Sequence, residues 1–369
     1  MSRSDPVRPH WLLPTPQRVD EAPDGIRALL QHLMRGRDLN REQAAQLLGA
    51  VLDHEATDAQ VAGALVALGV KGETVDELAG MADAMRRRAT PVRTRHARFI
   101  DTAGTGSSSA KTFNVSTAAA FVIAGAGLPV AKHGSKAATS RSGSADVLAA
   151  LGVNVSAAHE VSERALDEVG LCFMFAPLYH AATARVAHVR RELGVHTTFN
   201  LLGPLTNPAR APRQIIGVWH PTLTEPLARV LGRLGSERAW VVHGADGLDE
   251  VTLSAPTRVS EWDGEAVRSF TLDPERDLGL PRRPLDALRG GDAEVNARTI
   301  RAVLDGDASA SDARDLVTAN AAAALLVGGE AETLEQAVQL ARRSLDTGAA
   351  RAKLDGLTAI TNGVAITNG

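Results

Sequence analysis

DTAGTGSSSAKTFNVSTAAAF, residues 101–121, and PVAKHGSKAATSRSGSADVLAALG, residues 129–152, decide how this chain folds. An apolar run, Ala97–Ile100, leads into Gly104-Thr105-Gly106 and three serines. Asn114-Val115-Ser116-Thr117 then opens an alanine-rich segment. The order is strand, glycine loop, helix N-terminus. Glycine lets the backbone approach a ligand closely, and the free N–H groups and dipole of a helix start attract an anion. The serines and Asn114 add short donors, and Lys132, just past the apolar run Gly127–Ala131, adds a positive charge. A second loop ends in a second helix start at Ser142-Gly143-Ser144. Two helix N-termini, a lysine and many hydroxyls between residues 101 and 151 point to a ligand with more than one phosphate. A GTG followed by serines is, alone, equally the pattern of a solvated strand–helix turn; the whole array carries the inference. It is not a P-loop, because no Gly-Lys-Ser/Thr closes the glycine loop, and GxGxxG is absent.

From Ala97 onward strand and helix patterns alternate. Strands are expected near Phe99, Val130, Phe173, Ile215 and Val241, with helices at Ser116–Gly125, Ser144–Leu151, Ala158–Val169, His180–Leu193 and Pro221–Leu234. Such alternation predicts a mostly parallel sheet flanked by helices, with ligands beyond the carboxyl ends of its strands. The Gly104 loop, the Lys132 loop and the Gly244–Glu250 loop then meet on one edge. Ahead of this α/β region, Ile26, Leu29, Leu30 and Leu33 repeat at helical spacing. Asn40 and Thr57 read as N-caps, Gly69 and Gly72 as breaks, and Thr74 as a restart. Four short helices over residues 25–92 form a small helical domain, with helices near 180–205 packing on it; residues 93–369 form the larger α/β domain. Residues 1–24 are polar, carry five prolines and read as a poorly ordered tail. DARDLVTANAAAALLVGG and TLEQAVQLARRSLDTGAARAKLDGL read as two closing helices, and the AITNG repeat at the C-terminus carries no inference.

Bulk properties narrow the function. The 369 residues suffice for one large domain or two modest ones, and 44% hydrophobic with 22% charged residues is ordinary for a globular protein. Aromatics are scarce at 3%, so alanine and valine must build a core of closely packed helices. A net charge of −3 gives no electrostatic reason to expect nucleic acid or an anionic membrane as partner. The single Cys172 excludes an internal disulfide and a cysteine-cluster metal site. No apolar run is long enough to span a bilayer, and the N-terminus lacks a signal-peptide core, so a cytoplasmic location is expected.

Asp246-Gly247-Leu248-Asp249-Glu250 follows the apolar run WVVHG. Adjacent carboxylates at a strand end hold a hard cation through oxygen ligands; two acids in a polar turn are the plainer meaning of the pair. Its place on the ligand edge favours the cation. Magnesium keeps several waters and shares oxygens with a ligand's phosphates.

These stretches carry a resemblance. GTG…TFNVST…KHG…SGSAD…LG is similar to the signature GTGGD…TFN[IV]ST…KHG…SGSAD…LG of the anthranilate phosphoribosyltransferases of tryptophan biosynthesis. KGETVDELAG…AMR resembles that family's helical domain, and DGLDE matches its DG[IVL]DE motif. The likeness runs from about Ile26 to the C-terminal region. It implies a small N-terminal helical domain plus a larger α/β domain, with the active site in the cleft between them. It implies Mg²⁺-dependent transfer of a phosphoribosyl group from phosphoribosyl pyrophosphate (PRPP) to the amine of anthranilate, with one or two metal ions and a homodimer formed through the helical domain. Gly104, Thr105, Gly106, Ser107, Ser108, Thr112, Asn114, Ser116, Thr117, Lys132, Ser135, Lys136, Thr139 and Ser144 are then expected to hold PRPP. Gly104, His133, Ser135, Arg190 and the turn Gly203-Pro204 would frame the acceptor, and Ser116, Asp249 and Glu250 the metal. No covalent nucleophile is assigned, because charge stabilisation of the leaving diphosphate and placement of the arylamine suffice.

The chain departs from the family pattern at three places. Ser108 stands for the Asp of GTGGD, Ser135-Lys136 for the Asn-Arg of KHGNR, and His196 for the Arg of LG[IV]RT. These leave open a related transferase acting on another aromatic amine or acid. The scaffold would also serve a phosphorylase using free phosphate, or a nucleic-acid binder with a strongly basic face.

Overall fold

The computed structural model describes residues 25–106, 110–137 and 141–364. The expected tail at residues 1–24 and the last copy of the AITNG repeat lie outside the described residues. Four helices come first: α1 (Gly25–Met34), α2 (Arg41–Leu52), α3 (Asp58–Lys71) and α4 (Val75–Arg88). Asn40, Thr57 and Thr74 each close a capping box with the Gln or Glu three residues on, so two orphan backbone donors are satisfied at each start. Gly69 does not break the chain as expected. It lies inside α3, and only Gly72, at φ 82°, ends the helix. One interior glycine costs about 1 kcal/mol, too little to stop a helix that buries an apolar face.

The bundle is locked by Glu77, which is fully buried. One carboxylate oxygen accepts from Leu39 N at 2.8 Å; the other accepts from Thr74 N at 2.8 Å and from Lys71 Nζ at 2.9 Å. A single side chain thus joins α3, α4 and the loop before α2.

An extended segment then crosses to the α/β body, where Thr90 N donates to Tyr179 O and Val92 N to Pro208 O. Five strands there are parallel: β1 (Ile100–Asp101), β2 (Val130–Gly134), β3 (Leu171–Phe175), β4 (Arg213–Gly217) and β5 (Arg238–Gly244). Two more, β6 (Thr257–Trp262) and β7 (Val267–Leu272), are antiparallel, and the sheet order is β3-β2-β1-β4-β5-β6-β7. Sequence periodicity did not single out β6 and β7, although Asp263-Gly264 between two β-rich runs is a hairpin signal. Gly264 sits at φ 103°, and Asp263 Oδ1 accepts from Glu265 N and Ala266 N to close the turn.

The helices between strands are α5 (Val115–Gly125), α6 (Ser144–Ala150), α7 (His159–Glu168), α8 (Ala176–Tyr179), α9 (Ala184–Leu193), α10 (Thr198–Leu205) and α11 (Thr224–Arg233). After the sheet come α12 (Pro274–Leu278), α13 (Ala293–Leu304), α14 (Ser311–Gly328), α15 (Leu334–Asp346) and α16 (Ala349–Thr361). Two expectations need correction. The helix expected at His180–Leu193 begins later, at Ala184, because His180 (φ −121°, ψ 53°) is not helical and a 3₁₀ turn, Ala181–Thr183, precedes α9. The two closing helices are three, since Gly348 at φ 75° separates α15 from α16.

Side chains alternate across the strands into two cores. Ile215, Trp240 and Val242 face a core built with α5, α14 and α16, whereas Ile216, Ala239 and Val241 face one shared with α11, α10, α9 and the whole four-helix bundle. Ala118, Ala119, Ala120 and Ala124 of α5 and Ala319 with Ala321 to Ala324 of α14 are all buried. Helices with such small side chains pack closely, as the composition anticipates. Among the described residues no helix is long and apolar enough to cross a membrane. Cys172 is buried in β3, and burial pushes its thiol well above its usual range.

Replacing Glu77 by Ala strands two backbone donors, Leu39 N and Thr74 N, while Lys71 keeps Asp38 and the Gly72 carbonyl. Urea denaturation should show a loss of about 2–4 kcal/mol; a loss below about 1 kcal/mol would show that the bundle does not depend on this carboxylate.

Candidate active site

The carboxyl ends of β1, β2, β4 and β5 converge, and the loops that leave them touch. Thr105 N and Oγ1 both donate to Gly217 O, at 2.9 and 3.0 Å, so the glycine loop after β1 is fastened to the end of β4. Gly217 in turn lies under the acidic loop after β5. A Cβ there would fall 1.6 Å from Asp249 O, a space no side chain can enter. Thr102, Gly104, Ser116, Gly217 and Glu250 line one small depression.

Ser116, on the first turn of α5, is the hub. Its backbone and hydroxyl hydrogen-bond Glu250. Lys132 Nζ donates to Ser116 Oγ at 3.3 Å and to Thr102 O at 3.3 Å. Lys132 is only 3% exposed, so it lies beneath the glycine loop rather than in the open beside it. It stands between two acids, Glu250 above and Asp101 below. Asp101 is fully buried. It accepts from Asn207 Nδ2 at 2.7 Å and His133 N at 3.2 Å, yet burial still pushes its carboxyl up to about 6. Burial and then the neighbouring Asp249 push Glu250 up to about 8, with Lys132 and Ser116 opposing. Two adjacent carboxylates in this environment repel each other, and a hard cation between them relieves the repulsion.

Asp246 is set apart from that pair. Its carboxylate accepts from Thr252 Oγ1 at 2.5 Å, from Ser254 and from Leu248 N, so it shapes the turn. Among the described residues no group of three His, Cys, Asp or Glu surrounds a common point. A metal on Asp249 and Glu250 would therefore complete its shell with Ser116, water and ligand oxygens.

Asn114, the N-cap residue of α5, makes no capping hydrogen bond; the Ser116 N–H is taken by Glu250. Asn114 instead donates to Ser142 O at 3.2 Å and accepts from Asn296 Nδ2 at 2.9 Å, tying the second loop and α13 to this helix start. Thr117 Oγ1 is buried and has no hydrogen-bond partner among the described residues. Gly290 packs on Thr112 and Phe113, where its Cβ would lie 2.5 Å from Thr112 O. In the second loop, Asp146 Oδ2 accepts from Ala137 N and Gly143 N, and Ser144 Oγ donates to Ser135 O. Ser135 and Lys136 are not buried. Ser107, Ser108 and Thr139 lie outside the described residues.

On the side of β2 facing α10, His133 Nδ1–H donates to Gly203 O at 3.2 Å. Gly203 and Pro204 were expected as a turn; they lie inside the last turn of α10. The Cβ direction of Gly203 is open, so the space beside it is free. Arg190, half-buried on α9, places its guanidinium 5.3 Å from the Phe199 ring centre. Phe199 and Gly203 are four residues apart on α10 and share a face. His133 and Arg190 therefore border adjacent turns of one helix. Burial lowers the Arg190 pKa, and among the described residues no carboxylate pairs with it. An arginine so placed receives a carboxylate readily, because its fork matches the two oxygens.

Sequence inspection missed His180, whose ring lies 5.1 Å from that of His133. Burial, then His180, pull His133 down to about 3, and burial pulls His180 down to about 4. Both imidazoles are neutral near pH 7. Gly217, Thr102 and Asn296 were missed as well. Only Gly217 leaves a trace in the sequence, as a glycine closing an apolar strand.

Known proteins match this arrangement. The family model described as "Glycosyl transferase family, a/b domain" matches residues 96–351, and "Glycosyl transferase family, helical bundle domain" matches residues 27–89. The anthranilate phosphoribosyltransferase of Moorella thermoacetica is 52% identical over 334 residues, covering 90% of this chain and 98% of that protein. The crystal structure of the enzyme of that name from Thermus thermophilus superposes with a TM-score of 0.86 at 42% identity, over 90% of this chain and 99% of that one. The Saccharomyces cerevisiae enzyme in complex with PRPP and Mg superposes with a TM-score of 0.83 at 26% identity, over 92% and 98% of the two chains.

The buried histidines give a pH signature. The unfolded chain protonates them near pH 6.5, but the folded protein holds them neutral down to about 3 and 4. Their contribution to stability is present above pH 6.5 and drains as pH falls, by up to about 1.4 kcal/mol per pH unit for each ring. Denaturation midpoints should fall less steeply between neutral and mildly acidic pH for His133→Gln/His180→Gln than for the parent; equal slopes would contradict the neutral pair.

Proposed function

The chain belongs to the anthranilate phosphoribosyltransferases, a branch of the glycosyl transferase family, and on that premise we propose how its residues perform the transfer. The enzyme moves the 5-phosphoribosyl group of PRPP to the amine of anthranilate, giving N-(5-phosphoribosyl)anthranilate and pyrophosphate, a step of tryptophan biosynthesis. One observation carries the residue assignment: Ser116 at the start of α5 is bonded to Glu250 and shares one depression with Gly217 of the Thr105–Gly217 clasp.

In this proposal the start of α5, Gly104 to Gly106, Thr112, Asn114, Thr117 and the second loop at Ser135, Lys136 and Ser144 receive the phosphates of PRPP. Ser107, Ser108 and Thr139 would join them. Lys132 acts from below, holding Ser116 and Thr102 in place and offsetting Asp101 and Glu250. Asp249, Glu250 and Ser116 would hold Mg²⁺, as one ion or two. When bound, the ion neutralises charge that grows on the leaving diphosphate. Arg190 takes the anthranilate carboxylate, while His133, Gly104, Ser135 and the Gly203-Pro204 turn of α10 frame the ring. Both histidines stay uncharged, so neither protonates the acceptor amine, which attacks the anomeric carbon as the C–O bond to diphosphate breaks and then gives up one proton to water.

The same proposal has the protein working as a homodimer in the cytoplasm. Met34 on α1 and Val66 and Val70 on α3 support the dimer, because they are 55%, 47% and 85% exposed on neighbouring helices and suit a symmetric apolar contact.

With PRPP and Mg²⁺ present, anthranilate fluorescence should disappear with time; turnover of another arylamine with none of anthranilate would overturn the acceptor assignment. Arg190→Ala should raise the anthranilate KM about 10- to 100-fold and leave PRPP binding nearly unchanged. Equal effects on both substrates would remove its role. Gly217→Ala should displace the Asp249 backbone and lower kcat/KM by about 100-fold, with a raised Mg²⁺ requirement. An unchanged metal titration would separate Gly217 from the metal loop.

A further inference from the structure

On the other side of α4, where the helical bundle meets the α/β body, Asp83, Arg86, Arg87, Arg210, Gly235 and Ser236 line a groove of about 380 Å³. Arg86 is mostly buried there. Its Nε donates to Leu205 O at 2.8 Å and its Nη1 to Leu234 O at 3.3 Å, at the C-terminal ends of α10 and α11. Those carbonyls carry only partial negative charge. The acid among the lining residues, Asp83, is already engaged by Arg41, at 2.8 and 2.7 Å. Among the described residues no carboxylate pairs with the exposed Arg87 or Arg210. Gly235 presents no side chain, and the space beyond its Cβ direction is open. The crowding has an electrostatic consequence. Burial, and then Arg210 and Arg41, pull Arg86 down to about 10, with Asp83 opposing.

We propose that this groove is a second anion site, which takes the oxyanion of a small phosphorylated or carboxylated metabolite on Arg86, Arg87 and Arg210. The guanidinium forks of Arg87 and Arg210 match both groups, Arg86 adds its charge from beneath while held by two carbonyls, and three arginines around one engaged acid leave an excess of positive charge. Arg86 and Arg87 belong to α4, whereas Arg210 and Ser236 belong to the α/β body. An anion held between them fastens one part to the other, at a distance from the phosphate loops.

The test is calorimetric titration of the full chain with inorganic phosphate in one arm and citrate in the other, run in parallel on Arg87→Ser/Arg210→Ser. Any uptake by the active site is common to both proteins, so the difference reports the groove. Binding at least roughly tenfold weaker in the variant is the expected result. Response to phosphate alone identifies a phosphoryl ligand, and response to citrate alone a carboxylate one. Coincident isotherms in both arms would overturn the site. A thermal scan without anions gives a second readout. Relief of like-charge crowding should leave the variant's Tm equal or higher, whereas a fall would mean the arginines serve only packing.

Discussion

A buried chain of charge, Asp101–Lys132–Glu250, underlies the site. Placing one ammonium between two carboxylates in a dry interior is tolerable only when each group is bonded and fixed. Here Asn207 and the His133 backbone hold Asp101, Thr102 holds Lys132, and Ser116 holds Glu250. The same bonds set the relative positions of β1, β2, the start of α5 and the loop after β5. Remove the ammonium and two acids face each other without a counter-charge; the loops that converge on Ser116 then have no reason to stay together.

That arrangement also explains why the lysine does not stand in the open. From its spacing, Lys132 reads as a charge directed at phosphate. In the structure its ammonium is turned to Ser116 Oγ and the Thr102 carbonyl, a keel under the loops. Fixed dipoles with a cation on the far side suit a reaction in which charge shifts from a bond to a leaving group.

Much of this was legible in the sequence because it is local. The capping boxes at Asn40, Thr57 and Thr74, the strand–loop–helix grammar around Gly104, and the acidic pair at Asp249-Glu250 are each written within a few residues. What was not legible is long-range. Nothing near Gly217 says that Asp249 will lie on it, nor does anything near Asn296 say that it will hold Asn114. His180 is an ordinary histidine in an apolar neighbourhood until the fold sets it beside His133. The hairpin of β6 and β7 was a different failure. Its Asp-Gly signal is local, but the expectation of alternating strands and helices directed attention away from consecutive strands.

The alanines of α5 and α14 have a consequence for motion. A side chain without rotamers has none to exchange, so the alanine part of these helices offers few soft torsions through which one could slide on the other. The first turn of α5, which carries Ser116, is consequently as stiff as the paired backbones themselves, and any opening and closing that admits a substrate must arise outside this contact.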